Sequence, residues 1–418
     1  MGRLPERDAM SRIDRRRFLR ATAAAAGTAT APAGAAAGAR EGWEWIDGGS
    51  RFGTVNGAVA VGNGAVLAGT VAAEGEPSAG FAVRLAAGGE VVWRSRYVSD
   101  DQREALEADV LGPIPQDGIS AVLPAPDGDG ALLVGWIYHD STAVYAGRLV
   151  RIGADGRVRW ERSTGGFAPD LAYGYLAGGV ATEEGYLLCG MGSPGIMLGG
   201  AGWLVSLDAG GRVRWQRLYP ATDRDVERTS LRDVFRGAVA VDGGYVVGGH
   251  YDPREVGDPR GWLLGIDPAG GVRWEDRFDG EPTQVHALAT SDAAGYDLLA
   301  VGTVGSEVDP GDRQFSRPHR PGVGGDGFVA ASTAGGDRVW RERLPRTPLL
   351  AAGHGPEGVL AGGVRRGSGW VGTVGRTVVD SGGPGLVTAL ADAGSGRVLA
   401  AGRRRRAVRT DAWARAVP

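Results

Sequence analysis

Lysine is absent from this 418-residue chain: all 46 basic residues are Arg. That reads as a codon effect of a GC-rich genome rather than as a functional signal. There is one cysteine, Cys189, so a disulfide framework and a Cys-rich metal site are both excluded. It sits in the apolar run GYLLCG and reads as a small buried hydrophobe. No segment approaches 18 uninterrupted apolar residues, which excludes a membrane-spanning helix. No GxSxG, HExxH, Walker loop or dinucleotide fingerprint stands in a suitable context, so no catalytic residue is assigned and no metal site is expected. Carboxylates are numerous, but a catalytic pair cannot be chosen without geometry.

What is present is glycine. The 74 glycines are about 18% of the chain against a usual ~7%, and they read as turn chemistry in a loop-rich all-β protein. Residues 14–20 read DRRRFLR, with Arg15 and Arg16 followed by Arg17, Phe18, Leu19 and Arg20. This resembles a twin-arginine signal, and the weakly apolar stretch from Ala21 ends in Ala37, Gly38 and Ala39, small residues suited to cleavage. The expectation is a signal peptide over 1–39, passage through the Tat translocase, and an exported protein, soluble after cleavage, whose compartment is extracellular, cell-surface or periplasmic. The remaining chain carries a net charge of about −7, which does not favour nucleic-acid binding.

From residue 40 to 418 one pattern recurs. GWLVSLDAGGRVRWQRLY from Gly202 and GWLLGIDPAGGVRWEDRF from Gly261 are plain copies, with looser ones from Gly80, Tyr145 and Gly327. Each is an apolar run, a Gly-rich turn and a second run centred on Trp, the sequence form of a β-hairpin. A further hairpin signal precedes each, starting near Val55, Ile119, Leu176, Phe235, Val285, Leu349 and Leu386. Seven units of about 50 residues predict a single seven-bladed β-propeller, four antiparallel strands per blade. The last unit ends at DAWARAV, and the early segment GWEWID supplies the missing strand, so the ring is expected to close by an N-terminal strand completing the last blade.

At SLDAGGRVRW and GIDPAGGVRW the repeat resembles that of the quinoprotein, or PQQ-like, propeller family. Under an enzymatic reading the resemblance implies a quinoprotein-like oxidoreductase, holding pyrroloquinoline quinone with calcium at the central channel. The dehydrogenases of that family usually have eight blades and a vicinal cysteine pair, and one cysteine cannot supply the pair. The favoured expectation is therefore a non-catalytic binding or scaffold module with no cofactor, its partner a protein, a glycan or a small anion. The alternative is that quinoprotein-like oxidoreductase or another propeller enzyme.

Trp45, Trp93, Trp160, Trp215, Trp274 and Trp340 recur at one strand position and read as blade-packing residues. Short turns on one face and long connections on the other, such as Tyr97 to Gly118 and Gly305 to Gly327, place the expected binding face at the long loops. Ser99 or Asp100 can cap a short helix in the first of these. Arg365, Arg366, Arg403, Arg404, Arg405 and Arg406 are candidate anion-binding residues or a solvated charge run. His139, His250, His286, His319 and His354 come from successive units without local metal-ligand spacing.

Overall fold

The computed structural model describes residues 44–47, 52–72, 77–100, 102, 104, 116–139, 144–163, 168, 171–195, 200–221, 233–252, 259–278, 280–293, 295–305, 325–355, 358–373, 376–394, 397–405 and 410–417. The twin-arginine segment, His319, Arg406 and most of the long connections lie outside them.

Apart from a few helical residues after Ser99, the described chain is strand and turn. In chain order come β1 (Glu44–Ile46), β2 (Phe52–Val61), β3 (Gly64–Ala72), β4 (Ala79–Ala86) and β5 (Val91–Tyr97). There follow β6 (Gln116–Pro124), β7 (Ala131–His139), β8 (Val144–Ile152), β9 (Val158–Ser163), β10 (Tyr173–Thr182), β11 (Gly185–Ser193), β12 (Ala201–Asp208) and β13 (Val213–Tyr219). Next are β14 (Asp233–Val241), β15 (Gly244–Tyr251), β16 (Arg260–Ile266), β17 (Val272–Phe278), β18 (Thr283–Thr290), β19 (Leu298–Val304), β20 (Asp326–Ser332) and β21 (Arg338–Leu344). The last are β22 (Leu349–Gly355), β23 (Gly358–Arg365), β24 (Ser368–Thr373), β25 (Arg376–Gly394), β26 (Arg397–Arg405) and β27 (Thr410–Val417).

Turn chemistry makes the hairpins. In the turn between β16 and β17, Asp267 Oδ1 accepts from Ala269 N at 2.9 Å and Gly271 N at 2.8 Å, while Gly270 takes φ +84°. Only glycine holds that left-handed conformation without strain. Second strands such as β11 and β19 are buried from end to end because both faces are covered. The outermost strands alternate Val, Arg, Trp and Glu and face solvent on one side, with Val91, Val158 and Val272 about half exposed. Their charges discourage edge-to-edge pairing with other chains.

The expected seven separate blades closed by an N-terminal strand are not what forms. The fold is an all-β propeller of five sheets: β6–β9, β10–β13, β14–β17 and β18–β21 are four-stranded, and a fifth sheet has eleven strands. Two features fuse the fifth. β25 runs for 19 residues without interruption, pairing with β24 at one end and β26 at the other, and a parallel bridge, Phe52 to Thr410, joins β27 to β2. β1 is three residues long and lies off the path of this sheet, with Glu44, Trp45 and Ile46 opposite Arg415, Ala414 and Trp413. The first and last parts of the chain are thus united by one continuous sheet and by a shared apolar cluster. That cluster packs Val55, Leu67, Phe81 and Val83 against Ala389, Leu399, Ala401 and Ala414.

Three neighbouring pairs of sheets are fastened the same way at the rim. Trp93 Nε1 donates to Ala154 O at 2.7 Å, Trp215 Nε1 to Pro268 O at 3.0 Å and Trp274 Nε1 to Ala334 O at 2.8 Å. The ring of each lies over a turn glycine of the next sheet: an added Cβ on Gly156, Gly270 or Gly336 would stand 2.9, 3.1 or 2.5 Å from the Trp93, Trp215 or Trp274 ring. Trp160 covers Gly211 in the same manner, whereas Trp340 meets Tyr296 edge-on at 5.9 Å, and Trp45 packs against the cluster joining the chain's two ends. A Trp274→Phe substitution keeps most of the apolar cover and removes the intersheet hydrogen bond. It is expected to cost about 1–2 kcal/mol in urea unfolding, and an unchanged midpoint would show that the bond does not fasten these sheets.

Candidate functional site

Seven strands lie innermost, and together they enclose a channel of about 330 Å³. Four sheets contribute one inner strand each (β6, β10, β14, β18), and the eleven-stranded sheet contributes β2, β22 and β25. Every inner strand carries a β-bulge at the same level, between Val55 and Gly57, Ile119 and Ala121, Leu176 and Gly178, Phe235 and Gly237, Val285 and Ala287, Leu349 and Ala351, and Val387 and Ala389. A bulge leaves one residue out of the ladder and re-aims it. The residues so released are Asn56, Ser120, Ala177, Arg236, His286, Leu350 and Thr388, and all of them line the channel.

A glycine on the second strand faces each bulge. Gly69, Gly135, Gly190, Gly249, Gly302, Gly363 and Gly402 lie opposite the residue that precedes it. A Cβ at any of these positions would meet an inner-strand carbonyl oxygen at 1.8–2.3 Å. The glycine excess therefore has a second cause besides turns: these residues let the inner strand fold against its neighbour. The residue after each bulge is Gly or Ala for a related reason, since a Cβ on Gly57 would stand 2.5 Å from Val122 N and one on Gly178 2.3 Å from Arg236 O.

Part of the bulge ring fastens itself. Asn56 Nδ2 donates to Ile119 O at 2.7 Å and Thr388 Oγ1 donates to Val55 O, in each case to the residue preceding the neighbouring bulge. Ala177 and Leu350 have no donor with which to continue this belt. His286 Nε2 lies 3.2 Å from Thr303 Oγ1 on β19. Arg236 Nε is buried and has no hydrogen-bond partner among the described residues, and burial pulls its guanidinium below the usual Arg range. No carboxylate lines the channel among the described residues. Its polar lining is one guanidinium, one imidazole, the amide of Asn56 and the hydroxyls of Thr54, Thr70, Ser120, Tyr175 and Thr388.

The residues singled out from sequence are mostly elsewhere. Arg365 and Arg366 are exposed at the turn between β23 and β24, Arg366 with φ +52°. Arg403 is buried, Arg404 pairs with Glu44 at 3.4 Å, and the side chain of Arg405 lies outside the described residues, as does that of His139. Of the histidines, His286 lines the channel, His354 lies 3.2 Å from Thr290 Oγ1 in a shallow recess beside it, and His250 is buried in β15. Among the described residues no group of three or more His, Cys, Asp or Glu could hold a metal ion. The described channel lining does not fit the quinone–calcium pair: calcium takes hard oxygen ligands, usually including carboxylates, and the described lining residues supply none of the latter. Cys189 is fully buried, and burial pushes its thiol up to about 12. Ser99 accepts from Gln102 N at 3.1 Å and so caps the helical residues that follow.

Sequence reasoning missed Arg236. The signal was there: at corresponding places VNGAV, ISAVL, LAGGV, FRGAV, VHALA, LLAAG and VTALA each set one variable residue before a small one. A residue that breaks strand alternation at the same point in every unit marks a bulge.

No protein-family profile matches the chain, and no curated protein matches it. Among solved structures it is similar to a protein of unknown function from Dyadobacter fermentans, with 14% identity, 88% of this chain and 95% of that one covered, and a TM-score of 0.49. It is similar at 10% identity to the β-propeller domain of the Trilobed protease from Pyrococcus furiosus, covering 87% and 94% with a TM-score of 0.42. A third is the C-terminal WD40 domain of Sif2, at 9% identity over 89% and 98%, with a TM-score of 0.43.

Proposed function

We propose that this chain is an exported, non-catalytic binding propeller that takes a small molecule into its central channel at the level of the bulges. The observation that carries the reading is the bulge ring. The architecture repeats around the channel while the side chains do not, and a lining of mixed donors beside apolar Ala177 and Leu350 is the composition of a recognition pocket. A volume near 330 Å³ suits a metabolite-sized ligand rather than a polypeptide segment. Export rests on the residues from Arg15 to Arg20, and kinship with the quinoprotein repeat on the SLDAGGRVRW pattern.

A panel of sugars, amino acids and organic acids screened by thermal denaturation tests the channel. A true ligand at a hundredfold excess over its Kd adds about 2.7 kcal/mol of stability. Ala177→Trp fills the channel from a bulge position and is expected to abolish that gain while the fold, checked by near-UV circular dichroism, persists. Ligands whose effect survives Ala177→Trp would place binding on the loops instead.

A further inference from the structure

We infer that the channel holds the oxyanion head of a small ligand, a carboxylate or a phosphate, on the guanidinium of Arg236 with His286 beside it. The inference rests on the channel reading above and gives it a ligand class.

The argument begins with where the donors go. Around the ring each bulge side chain has the chance to satisfy the carbonyl that the neighbouring bulge releases from its ladder, and Asn56 and Thr388 do so. Arg236 and His286 occupy the equivalent positions on adjacent inner strands, β14 and β18, with His286 Nε2 3.2 Å from Thr303 Oγ1. Arg236 instead leaves Nε buried and unsatisfied beside the channel. An arginine in such a place is costly unless an acceptor arrives, because a buried donor without a partner bears its full desolvation cost. Among the described residues no carboxylate of the channel lining supplies that acceptor. The protein as a whole is acidic, with a formal net charge of −3, so the Arg236 charge is a local feature of the channel rather than a consequence of overall charge. A planar guanidinium matches a carboxylate or phosphate through two parallel hydrogen bonds. Ala177 and Leu350, flanking the pair around the ring, leave apolar room for the body of an organic acid.

Isothermal titration of the mature protein with sodium succinate, sodium phosphate and sodium chloride at matched ionic strength tests the inference. Succinate or phosphate is expected to bind saturably and chloride not, and the tighter of the two identifies which oxyanion the site takes. Arg236→Met is expected to weaken that binding roughly 10- to 100-fold, Arg236→Lys to weaken it less, and Arg404→Gln, outside the channel, to leave it unchanged. Equal binding by wild type and Arg236→Met, or no anion binding above chloride, overturns the inference. If Arg236→Met proves unfolded, Arg236→Lys against Arg404→Gln carries the same comparison. Uncharged ligands whose stabilisation depends on Ala177 would leave the channel reading standing while the anion inference falls. A channel that takes neither anions nor uncharged ligands would remove both.

Discussion

Asp117→Ala is expected to destabilise the fold by about 3–5 kcal/mol at neutral pH, the range for breaking a buried ion pair from one side. Asp117 is fully buried near the start of β6. It accepts from Ser99 N, and from Ser99 Oγ at 3.0 Å, and lies 3.3 Å from Arg148 Nη1. Arg148, 1% exposed, also donates to Tyr97 O and Val98 O, both at 2.8 Å, and pairs with Glu161 at 2.7 Å. One carboxylate thus ties the end of β5 to the next sheet, and its loss strands the Ser99 amide and leaves Arg148 short of an acceptor.

The pH dependence has a definite sign. Burial pushes the Asp117 carboxyl up to about 6, against the downward pull of Arg148 and Ser99. The folded state therefore holds this proton to higher pH than the unfolded chain does. The resulting stability is fully present below the ordinary aspartate value of about 4 and is lost as pH rises through about 6. The stability gap between wild type and Asp117→Ala should accordingly widen as urea unfolding is repeated at pH 7, 6 and 5. A gap that narrows toward pH 5, or one below about 1 kcal/mol at pH 7, would contradict this account.

Gly249→Ala is expected to cost about 2–3 kcal/mol, although it adds a single methyl group. The new Cβ would stand 1.8 Å from Val234 O and 2.8 Å from Phe235 Cα, backbone atoms of a buried inner strand beside the bulge that releases Arg236. No side-chain rotation relieves that contact, so β14 and β15 must separate. Gly335→Ala, in a turn where the nearest atom is Thr333 Oγ1 at 3.6 Å, serves as the control and should fall within about 0.5 kcal/mol of wild type. Equal midpoints for the two variants would mean that the glycines opposite the bulges are not required for close approach.

The hairpins were legible because they are local. Asp267, Gly270 and Trp274 lie within eight residues of one another, and turn chemistry with a Trp-centred strand is written in that window. The count of separate blades and their closure by an N-terminal strand were not legible. Whether β25 bends at a sheet boundary or runs on for 19 residues, and whether Thr410 bridges to Phe52, depends on hydrogen bonds between segments far apart in the chain. The Arg run from Arg403 to Arg406 drew notice by composition, yet Arg403 is buried and Arg404 meets Glu44, a partner 360 positions away. Arg236, alone between Phe235 and Gly237, looked like one more polar strand residue.

By itself the sequence determined an all-β repeat protein without disulfides, with glycine turns and tryptophan-bearing outer strands, since periodicity, turn residues and cysteine count are properties of short windows. The tertiary structure alone decided which residues face one another across the axis. It gathered seven bulge side chains from positions 56 to 388 into one channel, left Arg236 half-buried there with its Nε buried and no counter-charge among the described lining residues, and fused the chain's two ends into an eleven-stranded sheet. Those outcomes follow from long-range pairing and burial, whose energies exist only once the inner strands have closed around the channel.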